Sequence, residues 1–183
     1  MSGSGWSMDA INALDRDAFV QAFGSLFEGS PWIAAEAWAS RPWSDVRALH
    51  AALIDVVAGA GEERQIALIR AHPDLVGRAA LAGTLTREST AEQRAAGLDP
   101  GLLTPAEIER FRTGNAAYQA KFGFPFVICA RENRKESILA GLATRVEHDR
   151  QTEVRTALAE IGKIAWYRLT DIVADDPTTR TEP

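Results

Sequence analysis

The stretch TPAEIERFRTGNAAYQAKFGFPF, residues 104–126, decides the fold class. Thr104, Pro105 and Glu107 make a helix start signal: a hydroxyl cap, a proline at the first helical position and a carboxylate at the third. Ile108, Phe111, Asn115, Tyr118 and Phe122 then recur at spacings of three and four, the period of one helix face. Gly123 suits the left-handed position after a helix, and Pro125 cannot continue one, so the stop is marked as clearly as the start. Asn115 interrupts the apolar stripe. It is either an asparagine satisfied inside the core or a polar group that holds the next loop in place.

Working outward, the same period recurs almost everywhere. Phe19, Phe23, Leu26 and Phe27 share a face over 15–27, and a short helix follows over 32–38. Ser44 can cap a helix to about Val57, with Val46, Leu49, Leu53, Val56 and Val57 inward. Residues 62–71 form the next helix. Ser89 with Glu92 reads as a second capping box, closed by Gly97–Gly101. A helix begins near Asn133 and Glu136, and the last runs over 151–173 with Val154, Leu158, Ile161, Ala165, Leu169 and Ile172 inward. No alternation of period two persists. The expectation is an all-α, single-domain bundle of about eight helices with short connections over residues 11–173. Residues 1–10 read as a flexible Gly/Ser-rich lead and 174–183 as a flexible polar tail.

Composition excludes several classes. Apolar residues make up 46% of the 183 and charged residues 25%, a globular balance. A net charge of -5 argues against nucleic acid held by bulk electrostatics, yet leaves room for a small anion gripped by one or two arginines. Three scattered histidines and one cysteine lack metal-ligand spacing. The lone Cys129 permits no disulfide within the chain, which fits a reducing compartment, and no apolar run reaches membrane-spanning length.

Chemistry concentrates in three interruptions of the helices. The first is Ala71-His72-Pro73-Asp74-Leu75-Val76-Gly77, where Pro73 stops a helix and leaves His72 on a stiff corner. An imidazole there can take and give a proton near neutrality, or it can merely cap a helix end at the surface. The second is Ser89 to Gln93, where Glu92 is either a catalytic carboxylate or a capping partner of Ser89. The third is Gly123-Phe124-Pro125-Phe126, a buried turn or one wall of a site. Together they offer an imidazole, a carboxylate, an amide, a hydroxyl and backbone N–H groups beside aromatic rings, a set suited to a small polar ring compound.

These pieces carry a resemblance. FEGSPW (27–32), RAHPDL (70–75), STAEQ (89–93) with AGL (96–98), NAAYQAKFGFPFVI (115–128), and Lys163-Ile164 with Arg168-Leu169 occur in the order seen in the 2-oxo-4-hydroxy-4-carboxy-5-ureidoimidazoline (OHCU) decarboxylases of purine catabolism. The sequence resembles that family from about Ile11 to Val173. The resemblance implies a cofactor-free, commonly homodimeric all-α enzyme that turns the ureidoimidazoline into (S)-allantoin. It places the catalytic acid/base on His72 and puts Glu92 in the substrate-binding Ser-x-x-Glu-Gln segment, where this carboxylate is expected to share the catalytic work. It assigns substrate binding to Pro73, Ser89, Gln93, Phe124, Pro125, Phe126, Val127, Ile128 and a C-terminal arginine, here Arg168, with Arg145 and Arg155 as rivals. Val76 departs from the small alanine frequent in the family. The C-terminus lacks the peroxisomal tripeptide of some eukaryotic relatives, which implies a bacterial cytoplasm. The competing expectation is a non-catalytic helical domain that binds a ureide or purine breakdown product.

Overall fold

The computed structural model describes residues 5–77 and 82–174. Among these are nine α-helices and no strand: α1 Met8–Ala13, α2 Arg16–Phe23, α3 Trp32–Ala37, α4 Val46–Gly59, α5 Glu62–Ala71, α6 Arg87–Ala95, α7 Pro105–Phe122, α8 Lys135–Arg145 and α9 Arg150–Ile172. The all-α class therefore holds. Packing separates the described chain into two compact units, one of residues up to 68 and from 165 onward, the other of residues 69–164. The expected tail lies outside the described residues from 175 onward.

In the first unit α2 packs on α3 and α3 on α4. The expected inward faces are filled: Phe19, Phe23, Leu26, Phe27, Leu49 and Leu53 are buried. Each such side chain contributes roughly 1.5–3 kcal/mol by leaving water. Two expectations need correction here. The cap of α4 is Asp45, whose Oδ1 accepts from Ala48 N–H at 2.8 Å, while Ser44 donates its hydroxyl to Asp45 Oδ2. A carboxylate held by backbone N–H is the stronger cap, and this bond keeps Asp45 below the usual carboxylate range.

Residues 5–10 are also more than a flexible lead. Trp6 N–H donates to Ile172 O at 2.9 Å, Ala174 N–H donates to Trp6 O at 2.8 Å, and Ser7 caps α1 through Ala10 N–H. Composition hid this, because the Gly/Ser content outweighed one good cap and two apolar anchors, Trp6 and Ile11.

The second unit is built on α7. Its capping box is complete: Glu107 N–H donates to Thr104 Oγ1 at 3.2 Å, and Thr104 N–H donates to Glu107 Oε2 at 2.8 Å. Gly123 ends the helix at φ +76°, a value only glycine takes without strain. Phe111, Asn115, Tyr118 and Phe122 are all buried, as the spacing requires. α8 crosses α7 closely at Gly114, where a Cβ would run into Leu142. On α9 the buried face is Glu153, Ala157, Ile161, Ile164, Ala165, Arg168 and Leu169, while Val154, Leu158 and Ile172 are only half-buried. The apolar pattern missed this rotation because two charged residues occupy the inward face.

Candidate active site

The site starts where α5 stops. Pro73 offers no N–H to prolong the helix, and His72 N–H closes the last turn onto Ile69 O at 3.2 Å. His72 is only 7% exposed, so the surface-cap reading fails. The loop then turns tightly: Gly77 N–H donates to Asp74 O, and a Cβ on Gly77 would press on Asp74 Cβ at 2.5 Å. Just before it, Val76 sits at φ +52°, a region that β-branched residues rarely enter.

Two buried amides hold that backbone. Val76 N–H donates to Gln93 Oε1 at 3.1 Å, and Asn115 Nδ2 donates to Leu75 O at 2.8 Å. Asn115 thus anchors a loop, but the preceding one rather than the next. A carbonyl can only accept and an N–H only donate, so these bonds fix both amide orientations. The free end of Gln93 is its NH2, which donates to nothing among the described residues, and the free end of Asn115 is its carbonyl oxygen, buried without a partner.

Gln93 comes from α6, which starts earlier than the Ser89 capping box predicts. Thr86 is the cap: its Oγ1 accepts from Ser89 N–H at 3.2 Å, and the helix begins at Arg87. Ser89, Glu92 and Gln93 therefore lie inside the helix at i, i+3 and i+4, on one face. They are 5%, 9% and 4% exposed. Glu92 is therefore not the capping partner of Ser89, whose N–H already donates to Thr86 Oγ1. Thr86, three residues upstream of Ser89, was the available signal.

The third wall is the extended segment 123–129. Its backbone is gripped at four points. Arg70 Nε donates to Gly123 O at 2.9 Å, Arg145 Nη1 to Val127 O at 2.8 Å and Asn133 Nδ2 to Cys129 O at 2.9 Å, while Cys129 N–H donates to Glu160 Oε2 at 2.8 Å. Arg70 lies two residues before His72, so this one side chain ties the histidine corner to the Phe-Pro-Phe segment. Tyr118, Phe122, Phe124 and Phe126 pack edge-on or stacked behind it. The N–H groups of Phe126, Val127 and Ile128 donate to no acceptor among the described residues.

The second unit thus joins the His72 loop to the Ser89–Gln93 face and to segment 124–128, Pro73 and Pro125 included. Arg168 belongs to the other unit. It is 6% exposed there and donates from Nη1 to Glu28 Oε2 at 3.2 Å and to Leu26 O at 3.4 Å. Burial pushes the Cys129 thiol up to about 11, which removes it as a nucleophile at neutral pH. No group of three or more His, Cys, Asp or Glu among the described residues could hold a metal. A groove of about 340 Å3 between α7 and α8, lined by Gly114, Ala117, Leu139 and Leu142 among others, uses a different face of α7 and none of the candidate residues.

Sequence reasoning passed over Arg70 as a tie and Arg145 as a backbone anchor. Arg70 stood within the RAHPDL motif, whereas nothing in the sequence announced the bond from Arg145 to Val127.

Comparison with known proteins shows the family. The family model described as OHCU decarboxylase matches residues 12–170. The 2-oxo-4-hydroxy-4-carboxy-5-ureidoimidazoline decarboxylase of Haloferax volcanii is 42% identical over 90% of this chain and 95% of its own length. The protein of the same name from Amia calva is 42% identical over 96% of this chain and 98% of its own. A solved (S)-allantoin synthase superposes with a TM-score of 0.71 at 28% identity, covering 92% of this chain and 54% of that one. A near full-length match to the family model, with relatives matched end to end, leaves one conclusion: this chain belongs to the OHCU decarboxylase family.

Proposed function

We propose that the chain is a carboxy-lyase that converts 2-oxo-4-hydroxy-4-carboxy-5-ureidoimidazoline to (S)-allantoin in urate degradation, using no metal or organic cofactor. The observation that carries the reading is the pair of buried bonds, Gln93 to Val76 and Asn115 to Leu75, that lock the His72 corner to α6 and α7. Rigid placement of that kind is what an orientation-dependent bond cleavage needs.

The chemistry follows from the substrate. One ring carbon bears a carboxylate and a hydroxyl, and its neighbour carries the ureido group and a C=N bond. When the bond to the carboxylate breaks, its electron pair becomes a C=C bond to that neighbour. The C=N π pair moves to nitrogen, which takes a proton. The substrate is its own electron sink. The ureido-bearing carbon then accepts a proton on one face while the hydroxyl loses its proton and becomes the ring carbonyl. His72 handles the proton at carbon, and Glu92 orients the substrate hydroxyl or His72 itself. The Gln93 NH2, Ser89 and the N–H groups of Val127 and Ile128 grip ring oxygen atoms. Pro73, Phe124, Pro125 and Phe126 supply the apolar wall. Arg168 binds an anionic or carbonyl group.

The same proposal includes a cytoplasmic homodimer, supported by the family resemblance and by a cysteine kept as a buried thiol. Light scattering on the purified chain tests the dimer. The activity test supplies urate with its oxidase and hydrolase and follows optical rotation. Stereospecific (S)-allantoin formation above the spontaneous rate is expected. Racemic product at the spontaneous rate would overturn the reading and leave a non-catalytic ureide-binding domain.

A further inference from the structure

A buried cluster of ionisable groups behind segment 124–128 has no role in the chemistry above. Its centre is Glu153, on α9 and 0% exposed. Glu153 Oε1 accepts from Arg145 Nε at 2.9 Å, from Arg145 Nη2 and from the hydroxyl of Tyr118, and His148 Nδ1 lies 2.8 Å from Oε2. The third donor of the guanidinium, Nη1, goes to Val127 O at 2.8 Å. The guanidinium also lies over the Phe126 ring, 4.5 Å from its centre, and Tyr118 meets the same ring edge-on at 5.3 Å. Every nitrogen of Arg145 is thereby engaged within the protein, and Glu153, itself held by Tyr118 and His148, fixes the guanidinium that grips this one peptide.

That peptide joins Val127 to Ile128 and is trans. In a trans peptide the C=O and the following N–H point in opposite directions. A carbonyl anchored by Arg145 therefore fixes the Ile128 N–H on the far side, where no described residue accepts it. Hydrogen bonding by a cation at the oxygen also polarises the amide, so its N–H becomes a stronger donor.

We infer that Arg145, held by Glu153 and Tyr118, is a positioning residue that aims and strengthens the Ile128 N–H toward the 2-oxo oxygen of the substrate, which shares the negative charge that develops on the adjacent ring nitrogen as CO2 departs. This rests on the decarboxylase reading. It recasts Arg145, a rival for direct substrate contact in the sequence, as a group acting one peptide away. Burial and the Glu153 carboxylate both hold the Tyr118 hydroxyl in its protonated, donating form.

Removing Arg145 alone would strand a buried carboxylate, so the informative variant is R145Q/E153Q, which neutralises both partners and leaves amides able to bond each other. Y118F is the mild companion, since it removes one hydroxyl and no charge. For R145Q/E153Q the expectation is a kcat about tenfold or more below wild type with KM within about threefold, because the lost donor acts on the transition state. Y118F shifts kcat the same way by less. The Ile128 amide resonance, read by 1H–15N NMR, moves in the same order, and its response to added (S)-allantoin fades with it. Folded variants with wild-type kcat, or an Ile128 resonance that does not move, overturn the inference. An inactive wild type would instead sink the decarboxylase reading, and the Ile128 resonance would still report whether Arg145 sets that peptide.

Discussion

Val76 and Gln93 make the tightest statement about the site: the backbone N–H of Val76, held at φ +52°, donates to Gln93 Oε1 at 3.1 Å. A β-branched residue in the left-handed region is strained by about 1–3 kcal/mol and persists only where its surroundings over-determine it. Here the surroundings are one buried amide on α6 and the Asn115 bond to the adjoining carbonyl. Strain beside a proline-stiffened histidine marks a backbone whose exact path serves something other than stability.

Gln93 therefore has two separable duties, and two substitutions divide them. Gln93→Ala leaves the Val76 N–H buried without an acceptor. A loss of about 1–3 kcal/mol in denaturant unfolding is expected, along with loss of turnover. Gln93→Glu keeps an acceptor oxygen but replaces the NH2 with a second oxygen. Burying that carboxyl carries a stability cost of its own, so the deciding reading is kcat/KM of the folded variant, which should collapse. Full activity in a stable Gln93→Glu variant would confine the residue to loop support.

Thr86 and Glu92 give the opposite pair of signatures. Thr86→Ala removes the true cap of α6 and should lower stability by about 1 kcal/mol with little change in kcat. Glu92→Gln, in mid-helix, should keep the melting temperature and lose turnover. His72→Asn belongs with it, expected inactive with its helical circular dichroism intact. An active, folded His72→Asn variant removes the acid/base role.

Which parts of this could be read from the chain depended on how local their physics was. The α7 start, its stripe and its glycine stop involve neighbours within four residues, and all appear as expected. The α6 start failed for an instructive reason: Ser89 and Glu92 satisfy the capping-box spacing, but Thr86 satisfies the cap rule earlier, and the first competent cap won. The inward face of α9 failed because Glu153 and Arg168 are buried by pairing with charges on other elements, Arg145 on α8 and Glu28 far along the chain. The grips on segment 123–129 from Arg70, Arg145 and Glu160 are long-range in the same sense. No pattern in Phe-Pro-Phe reveals them.

Glu107 makes a prediction about pH. Its hydrogen bonds from Lys135 and from Thr104 hold its carboxyl down to about 2, against an ordinary 4.5. A depressed carboxyl adds stability above its unfolded pKa and loses it as pH falls through the folded value. Glu107→Gln should therefore lower the melting temperature at pH 7. The gap from wild type should close as pH is taken from about 4.5 toward 2 in calorimetry. A gap that stays constant over that window would mean the carboxylate charge is irrelevant to the α7 cap.

Arg168 is the hardest assignment to test, because it is buried against Glu28. Truncating one member of a buried pair leaves the other charge stranded, a loss of about 3–5 kcal/mol that would lower activity whatever the residue does. The single variant Arg168→Gln therefore says little, and E28Q/R168Q is the useful one. Neutralising both partners should restore the melting temperature toward wild type. If Arg168 grips the substrate, KM stays raised, by about tenfold for the loss of a charged hydrogen bond. A folded double variant with unchanged KM would give Arg168 a purely structural part. Of the two rivals, the substrate arginine would then be Arg155, which is exposed and, among the described residues, bonded only to Thr152 Oγ1 at 3.3 Å, since every nitrogen of Arg145 is already engaged.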